Sequence, residues 1–284
     1  MNRFLFGIAA LATLIGGPAL AADMPVKVSS PTSYDWTGLY VGGHVGWEHA
    51  VTQGSTTLPA LFGTVITGPT DQNMHGWLGG AQLGYNQQFR RAVLGVEVSG
   101  SWGNARNLSS GAISTNGASF PPPAPFACFQ NVNIFTPAVP QTASFSCSAK
   151  QDWTAQALTR AGYTFGDGRL LPYLSAGVGF THLSFANTAT LTRPPPAAPF
   201  SEQDTWGANR ELVGAVVGGG VQYALGNGFS FGIEYLYANY GTKDFSSMGM
   251  TTSSNPPAST PFPALENHDL TTQTIRIVGN YKFD

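Results

Sequence analysis

Charge is what this sequence has least of. Only 10% of its 284 residues are Asp, Glu, Lys or Arg, against about 25% in a soluble domain, so the surface is not built mainly for water. The formal net charge is −2, with no long run of either sign. That removes the electrostatic footprint a nucleic-acid partner requires. Beyond the first residues, no apolar run approaches the ~20 residues of a membrane helix. No GxxxxGK[ST] occurs, and no helix follows the glycines at Gly177, Gly179 and Gly218 to Gly220. A phosphate-binding loop is therefore excluded, and no cofactor site is marked. Cysteine is scarce as well, with Cys128 and Cys147 alone.

What is present begins with a leader. Asn2-Arg3 makes a short positive region, Phe4 to Ile15 an apolar core, and Ala19-Leu20-Ala21 a small-x-small cleavage site. Residues 1–22 read as a signal peptide cut near Ala21 or Ala22, because the core is too short to span a bilayer. The protein is thus expected to be exported, with a polar tether at 23–34 and a single domain over 35–284. An exported chain that re-enters a membrane without apolar helices must do so as a closed barrel.

The end of the chain carries the clearest signal of one. In Asp269 to Phe283, Ile275, Ile277, Gly279, Tyr281 and Phe283 alternate with Thr274, Arg276, Val278, Asn280 and Lys282. A period of two with aromatics at the end is the pattern of a transmembrane strand, apolar toward lipid and polar toward the lumen. Its open edge must pair with an earlier strand. Asp35 to Ala50 supplies the partner, with Leu39, Val41, Val45 and Trp47 opposed to Tyr40, His44 and Glu48.

Six further stretches alternate in the same way: His75–Phe89, Ala92–Asn104, Gln151–Phe165, Leu171–Phe185, Glu211–Leu225 and Phe229–Gly241. Short turns join them at 90–91, 166–169 and 226–228. Long connections, expected to be extracellular loops, occupy about 51–74, 107–150, 186–209 and 243–268. This alternation predicts an all-β fold, an eight-stranded antiparallel up-and-down transmembrane barrel with both termini periplasmic. A soluble β-sandwich needs no such alternation and would carry more charge on its outward faces.

Four charges fall on the inward phase. Glu97, Arg160, Glu234 and Arg276 all count to about one height from the short turns. Inside a narrow barrel opposite charges must pair or bear a large desolvation cost. The expectation is an ion-pair network across the lumen that plugs it at mid-height. A charged, ion-selective constriction is the alternative.

The aromatics Trp47, Trp77, Trp102, Trp153, Tyr281 and Phe283 are expected at the membrane interfaces. His49, His75 and His268 lie at the outer ends of strands that neighbour one another in a closed barrel. They are expected to be ordinary interfacial histidines, a rim metal site being the alternative. His44 points inward. Asp71 and Glu266, with His75 and His268, are the acid–histidine combinations an enzymatic barrel would use, but no nucleophile accompanies them.

Both cysteines fall in the connection at 107–150. Export favours one disulfide between Cys128 and Cys147, which would restrict the unfolded loop by roughly 3 kcal/mol in the chain-entropy model. Residues 107–149 hold no charged side chain but contain Phe120, Phe126, Phe129, Phe135 and Phe145. These either build a small core over the barrel mouth or present a recognition surface.

The motifs Asp35-Trp36-Thr37-Gly38-Leu39-Tyr40-Val41-Gly42-Gly43, Gly79-Gly80-Ala81-Gln82-Leu83-Gly84-Tyr85-Asn86-Gln87, Gly95-Val96-Glu97 and Asn280-Tyr281-Lys282-Phe283 occur in that order. Together they resemble the alphaproteobacterial outer-membrane immunogenic protein and opacity-like porin family, over nearly all of the mature chain. The resemblance implies an eight-stranded outer-membrane barrel in contact with lipid and lipopolysaccharide. It also implies insertion by the barrel-assembly machinery, which reads the terminal aromatic; here Asp284 follows Phe283, and the second loop is unusually long. The expected function is a structural, surface-exposed envelope component. A small-solute porin channel and an adhesin acting through 107–150 are the alternatives. Oligomeric state is not written in the sequence.

Overall fold

The computed structural model describes residues 33–61, 64–115, 141–193 and 199–283. The leader expected over 1–22 lies outside these residues, as do the tether up to Thr32, Cys128, and Phe120, Phe126, Phe129 and Phe135.

The described chain is eight strands: β1 (Gly38–Leu61), β2 (Thr64–Phe89), β3 (Ala92–Thr115), β4 (Gln141–Tyr163), β5 (Leu170–Arg193), β6 (Phe200–Gly226), β7 (Phe229–Ser254) and β8 (Pro257–Lys282). Each pairs antiparallel with its neighbours in sequence, and β1 pairs with β8, so the sheet closes into a barrel. Val41 faces Tyr281 and Trp47 faces Ile275 across the seam. The last strand thus finds its partner in the first. At the short-turn end Arg90 and Asn227 take left-handed backbone angles, with φ of 59° and 52°. Asn227 sits between Gly226 and Gly228, an arrangement suited to a tight hairpin.

The strands are longer than the alternation predicts. The ranges 51–74, 186–209 and 243–268, expected to be loops, are largely strand, and β3 and β4 run to Thr115 and from Gln141. Phe145, expected on a loop, lies in β4 and is buried. The physical reason is a change of polarity rather than a loss of period. From Trp47 toward the short turns, outward residues are apolar and inward ones polar. Beyond it, Phe185, Leu212, Phe245 and Leu270 turn inward and are buried, while Ser, Thr and Asn face out. A search for apolar outward residues stops where they stop. Register shifts lie near this junction, at Trp102/Ala105, Gln151/Thr154 and Asn239/Gly241. Bulges there let strands keep pairing while their local twist changes.

The interior is layered. Trp36, Val93, Leu171 and Ala224 pack together under the short-turn mouth. Polar and charged groups fill the middle. An apolar layer that includes Met74, Leu158, Leu183, Leu212, Val216, Leu236 and Leu270 lies beyond them.

Candidate functional site: the charged layer of the lumen

Glu97 on β3, Arg160 on β4, Glu234 on β7 and Arg276 on β8 all point inward and are at most 5% exposed. Glu234 and Arg276 are register partners, and Arg276 Nε lies 2.5 Å from Glu234 Oε2. Its Nη2 reaches across the lumen to Glu97 Oε1 at 3.0 Å. The other oxygen of Glu97 meets Arg160 Nη1, also at 3.0 Å. One chain of ion pairs, Arg160–Glu97–Arg276–Glu234, therefore crosses the barrel. Two arginines and two glutamates leave it with no net charge.

Two tyrosines complete it. Tyr40 Oη donates to Glu97 Oε2 at 2.7 Å and accepts from Arg160 Nη1 at 2.7 Å. The Arg160 guanidinium carbon lies 3.8 Å from the ring centroid of Tyr173, so its face is covered by a cation–π contact. Arg276 Nη1 adds a long hydrogen bond to Ser99 Oγ at 3.4 Å. Buried ions of this kind are tolerable only when geometry and extra hydrogen bonds replace the lost water. Room for such large groups comes from inward glycines. A Cβ at Gly84 would fall on the Tyr40 ring, and one at Gly220 would lie 2.8 Å from Tyr173 Oη. Tyr40, Tyr173 and Ser99 were on the inward phase of the sequence pattern, but nothing in the spacing singled them out.

The polar packing continues on both sides. His44 contacts Gln82 Oε1 at 3.1 Å through Nδ1 and Ser101 Oγ at 2.8 Å through Nε2. Gln82 donates in turn to Asn280 Oδ1 at 2.6 Å. Glu48, 4% exposed, accepts from Thr274 Oγ1 at 3.1 Å. At the short-turn mouth, Trp36 Nε1 donates to Gly168 O at 2.7 Å and its backbone N–H to Gln88 Oε1 at 2.8 Å. Lys282 Nζ donates to Asp35 O at 3.0 Å. The segment ahead of β1 is thus fastened across the opening. Trp36 lay inside the DWTGLY motif, but its role as a lid was invisible there, since the motif reads equally well as the start of a strand.

The remaining candidates separate. Trp47 and Trp77 face outward in edge-to-face contact at 5.2 Å, and Trp102 pairs in register with Trp153. Trp102 is well exposed, whereas Trp153 is only half-buried. Tyr281 and Phe283 are exposed at the opposite end, 5.2 Å apart. Twelve residues, as between Trp77 and Phe89, rise about 30 Å along the axis of a barrel with strands tilted ~40°. That matches a bilayer core.

The three histidines do not converge. His49 and His75 are exposed on the outer wall, whereas His268 is 3% exposed on the inner one, stacked on Phe185 at 4.3 Å. Alternation explains this, because His268 occupies the opposite phase. No cluster able to hold a metal exists among the described residues. The acid–histidine combinations divide likewise. Glu266 is buried, taking hydrogen bonds from Trp206 Nε1 at 2.9 Å and Asn187 Nδ2 at 3.3 Å, while Asp71 lies on β2 with a side chain only partly buried. Cys147 faces inward on β4, fully buried; its expected partner Cys128 lies outside the described residues.

This chain is similar to known proteins. The 31 kDa outer-membrane immunogenic proteins of Brucella melitensis and Brucella suis are each 24% identical over 246 residues, covering 84% of this chain and 87% of theirs. Among solved structures, the outer membrane protein OprG of Pseudomonas aeruginosa aligns over 87% of this chain and 96% of its own, at 13% identity and a TM-score of 0.44. The profile of the outer membrane protein beta-barrel domain matches residues 8–283, and the chain belongs to that family.

Proposed function

We propose that this outer-membrane barrel is a structural, surface-exposed component of the envelope whose lumen is sealed, without catalytic activity. The observation that carries the reading is the neutral Arg160–Glu97–Arg276–Glu234 chain lying across the lumen. An ion-selective constriction needs an excess of one sign, and here each charge is spent on its neighbour. An eight-stranded barrel is just wide enough for its own side chains. The Trp36 lid below and the apolar layer above add two further seals. Export through the leader at 1–22, insertion through the terminal Phe283 by the barrel-assembly machinery, and a Cys128–Cys147 disulfide belong to the same proposal.

Single-channel recording of the refolded mature protein in a planar bilayer tests it. Folded, inserted protein is expected to give no current steps. Stable, uniform steps would overturn the seal and make the four charges selectivity residues of a small-solute channel.

A further inference from the structure

One seam of the extension, the strand parts beyond the level of Trp47, does not close. β1 pairs with β2 as far as Leu61 and Thr64, β3 with β4 to Thr115 and Gln141, β5 with β6 to Arg193 and Phe200, and β7 with β8 to Ser254 and Pro257. The β6–β7 ladder breaks beyond Ala215 and Asn239 but resumes at Thr205 and Met250. β2 and β3 are different. They separate after His75 and Arg106 and do not pair again among the described residues. Where they begin to part, the Trp77 N–H donates to the side chain of Asn104, at 2.9 Å from Oδ1.

Both strands nevertheless continue, each in a ladder on its other flank, so residues 64–74 of β2 and 107–115 of β3 present two edges to an open seam. Such edges are templates for another strand, and proteins usually blunt them with charge or proline. The β3 edge carries neither, and the β2 edge holds only Pro69 and Asp71. Outward on the two edges, Leu108 is 73% exposed and Asn73 is exposed as well.

Strand direction selects the occupant. β2 runs toward the short turns and β3 away from them, so one extended peptide in the seam would be antiparallel to one edge and parallel to the other. A second copy of this chain has no such conflict. Copies in one membrane share an orientation, so a twofold axis relating them lies along the membrane normal and preserves the sense of every strand. β2 of each copy then meets β3 of the other antiparallel and at equal height. Both edges of both copies are satisfied in one closed, isologous contact.

We propose that this chain forms a twofold dimer through its extension, β2 of each copy pairing with β3 of the other in continuation of the His75–Arg106 register. On that register 66–74 of one copy face 107–115 of the other, and Asn73 lies opposite Leu108. The two extensions join in one ring, while each barrel stays closed on itself within the membrane.

Disulfide trapping in the outer membrane of a Gram-negative host tests the pairing. Two chains with different tags, both with Cys128 and Cys147 replaced by Ala, are co-expressed, one carrying Asn73→Cys and the other Leu108→Cys. After mild oxidation the pair is expected to give a linked dimer bearing both tags. Either chain alone is expected to give none, because a disulfide requires Cα atoms within about 7 Å. Thr188→Cys, on the far wall, is expected to stay unlinked with either. The two substitutions in a single chain are expected to link two copies rather than close within one. Heat-dependent gel mobility confirms folding, and Asp71→Cys with Ser110→Cys, the next outward register pair, serves if either variant is not folded. Absence of the mixed dimer from folded protein would overturn the proposal, as would linking of Thr188→Cys or of either chain alone as readily. Closure within one copy in the doubly substituted chain would also overturn it, since the seam would then be its own partner.

Discussion

Between the tryptophan row and the short turns, the barrel wall is apolar outside and polar inside. Beyond the row, the same strands are mostly polar outside, and their large apolar side chains turn inside, among buried polar ones. Leu174, Val178 and Phe180 of β5 face out, at 73%, 45% and 41% exposure, whereas Leu183, Phe185 and Leu191 further along are buried. The backbone pairing is continuous from β5 to β6 across that change. One sheet therefore carries two folding problems. In lipid the outward face gains nothing by hiding, so the interior must hold together by ion pairs and hydrogen bonds. In water the interior can be an ordinary core driven by apolar burial. Secondary structure tolerates either choice: within the band the ladder closes on itself, as lipid demands, and in the extension, where β2 and β3 pair no further than His75 and Arg106, water can take the free backbone groups.

Breaking each interior by its own means gives the largest effects. Arg276→Ala leaves Glu97 and Glu234 buried without their shared partner, and it is expected to cost about 3–5 kcal/mol. Urea-dependent unfolding from vesicles measures this. Replacing the ions together, as Arg276→Met with Glu97→Gln and Glu234→Gln, is expected to cost far less, because no charge is left stranded. In the extension the corresponding break is Leu183→Ala. It removes a fully buried side chain and is expected to cost about 2–5 kcal/mol through the cavity it leaves. Equal insensitivity of both regions to their own substitution would remove the distinction.

The outer wall sharpens the contrast. Val217→Arg places a cation on the lipid face, where the cost is about 2–4 kcal/mol near the midplane. Thr188→Arg makes the same change on the extension and is expected to stay within about 0.5 kcal/mol of wild type. An effect between these two is expected at the lid. Trp36→Phe keeps most of the packing but removes the donor to Gly168 O, costing about 1 kcal/mol.

The sequence makes the membrane region far more legible than the extension. In the band, lipid favours apolar outward residues, so the phase of β8 or β5 can be read residue by residue. The inward positions of Glu97, Arg160, Glu234 and Arg276 follow from that phase. In the extension the outward face is Ser- and Thr-rich and gives no apolar signal, while its inward set mixes Phe145 and Phe185 with Thr56, Asn187 and Glu266. The period survives but the contrast is weak, so strands there look like loops. His268 shows the consequence, since a residue assigned to a rim by strand length alone proves to be inside a longer strand. Tyr40 and Tyr173 were missed for a different reason. Which inward neighbours reach one another depends on the register between strands, and a single strand's alternation does not contain it.

The inversion itself is tested most directly by spin labels placed one at a time along the outward face of β5, in a chain with Cys128 and Cys147 replaced by Ala. Collision rates with oxygen, which concentrates in lipid, and with a water-soluble nickel chelate would be compared for folded protein in vesicles. Labels at positions 174, 176, 178 and 180 are expected to favour oxygen, and labels at 184, 186, 188 and 190 the chelate, with the crossover between Phe180 and Ser184. Preference for oxygen continuing to position 190, or for the chelate beginning at 174, would contradict the account.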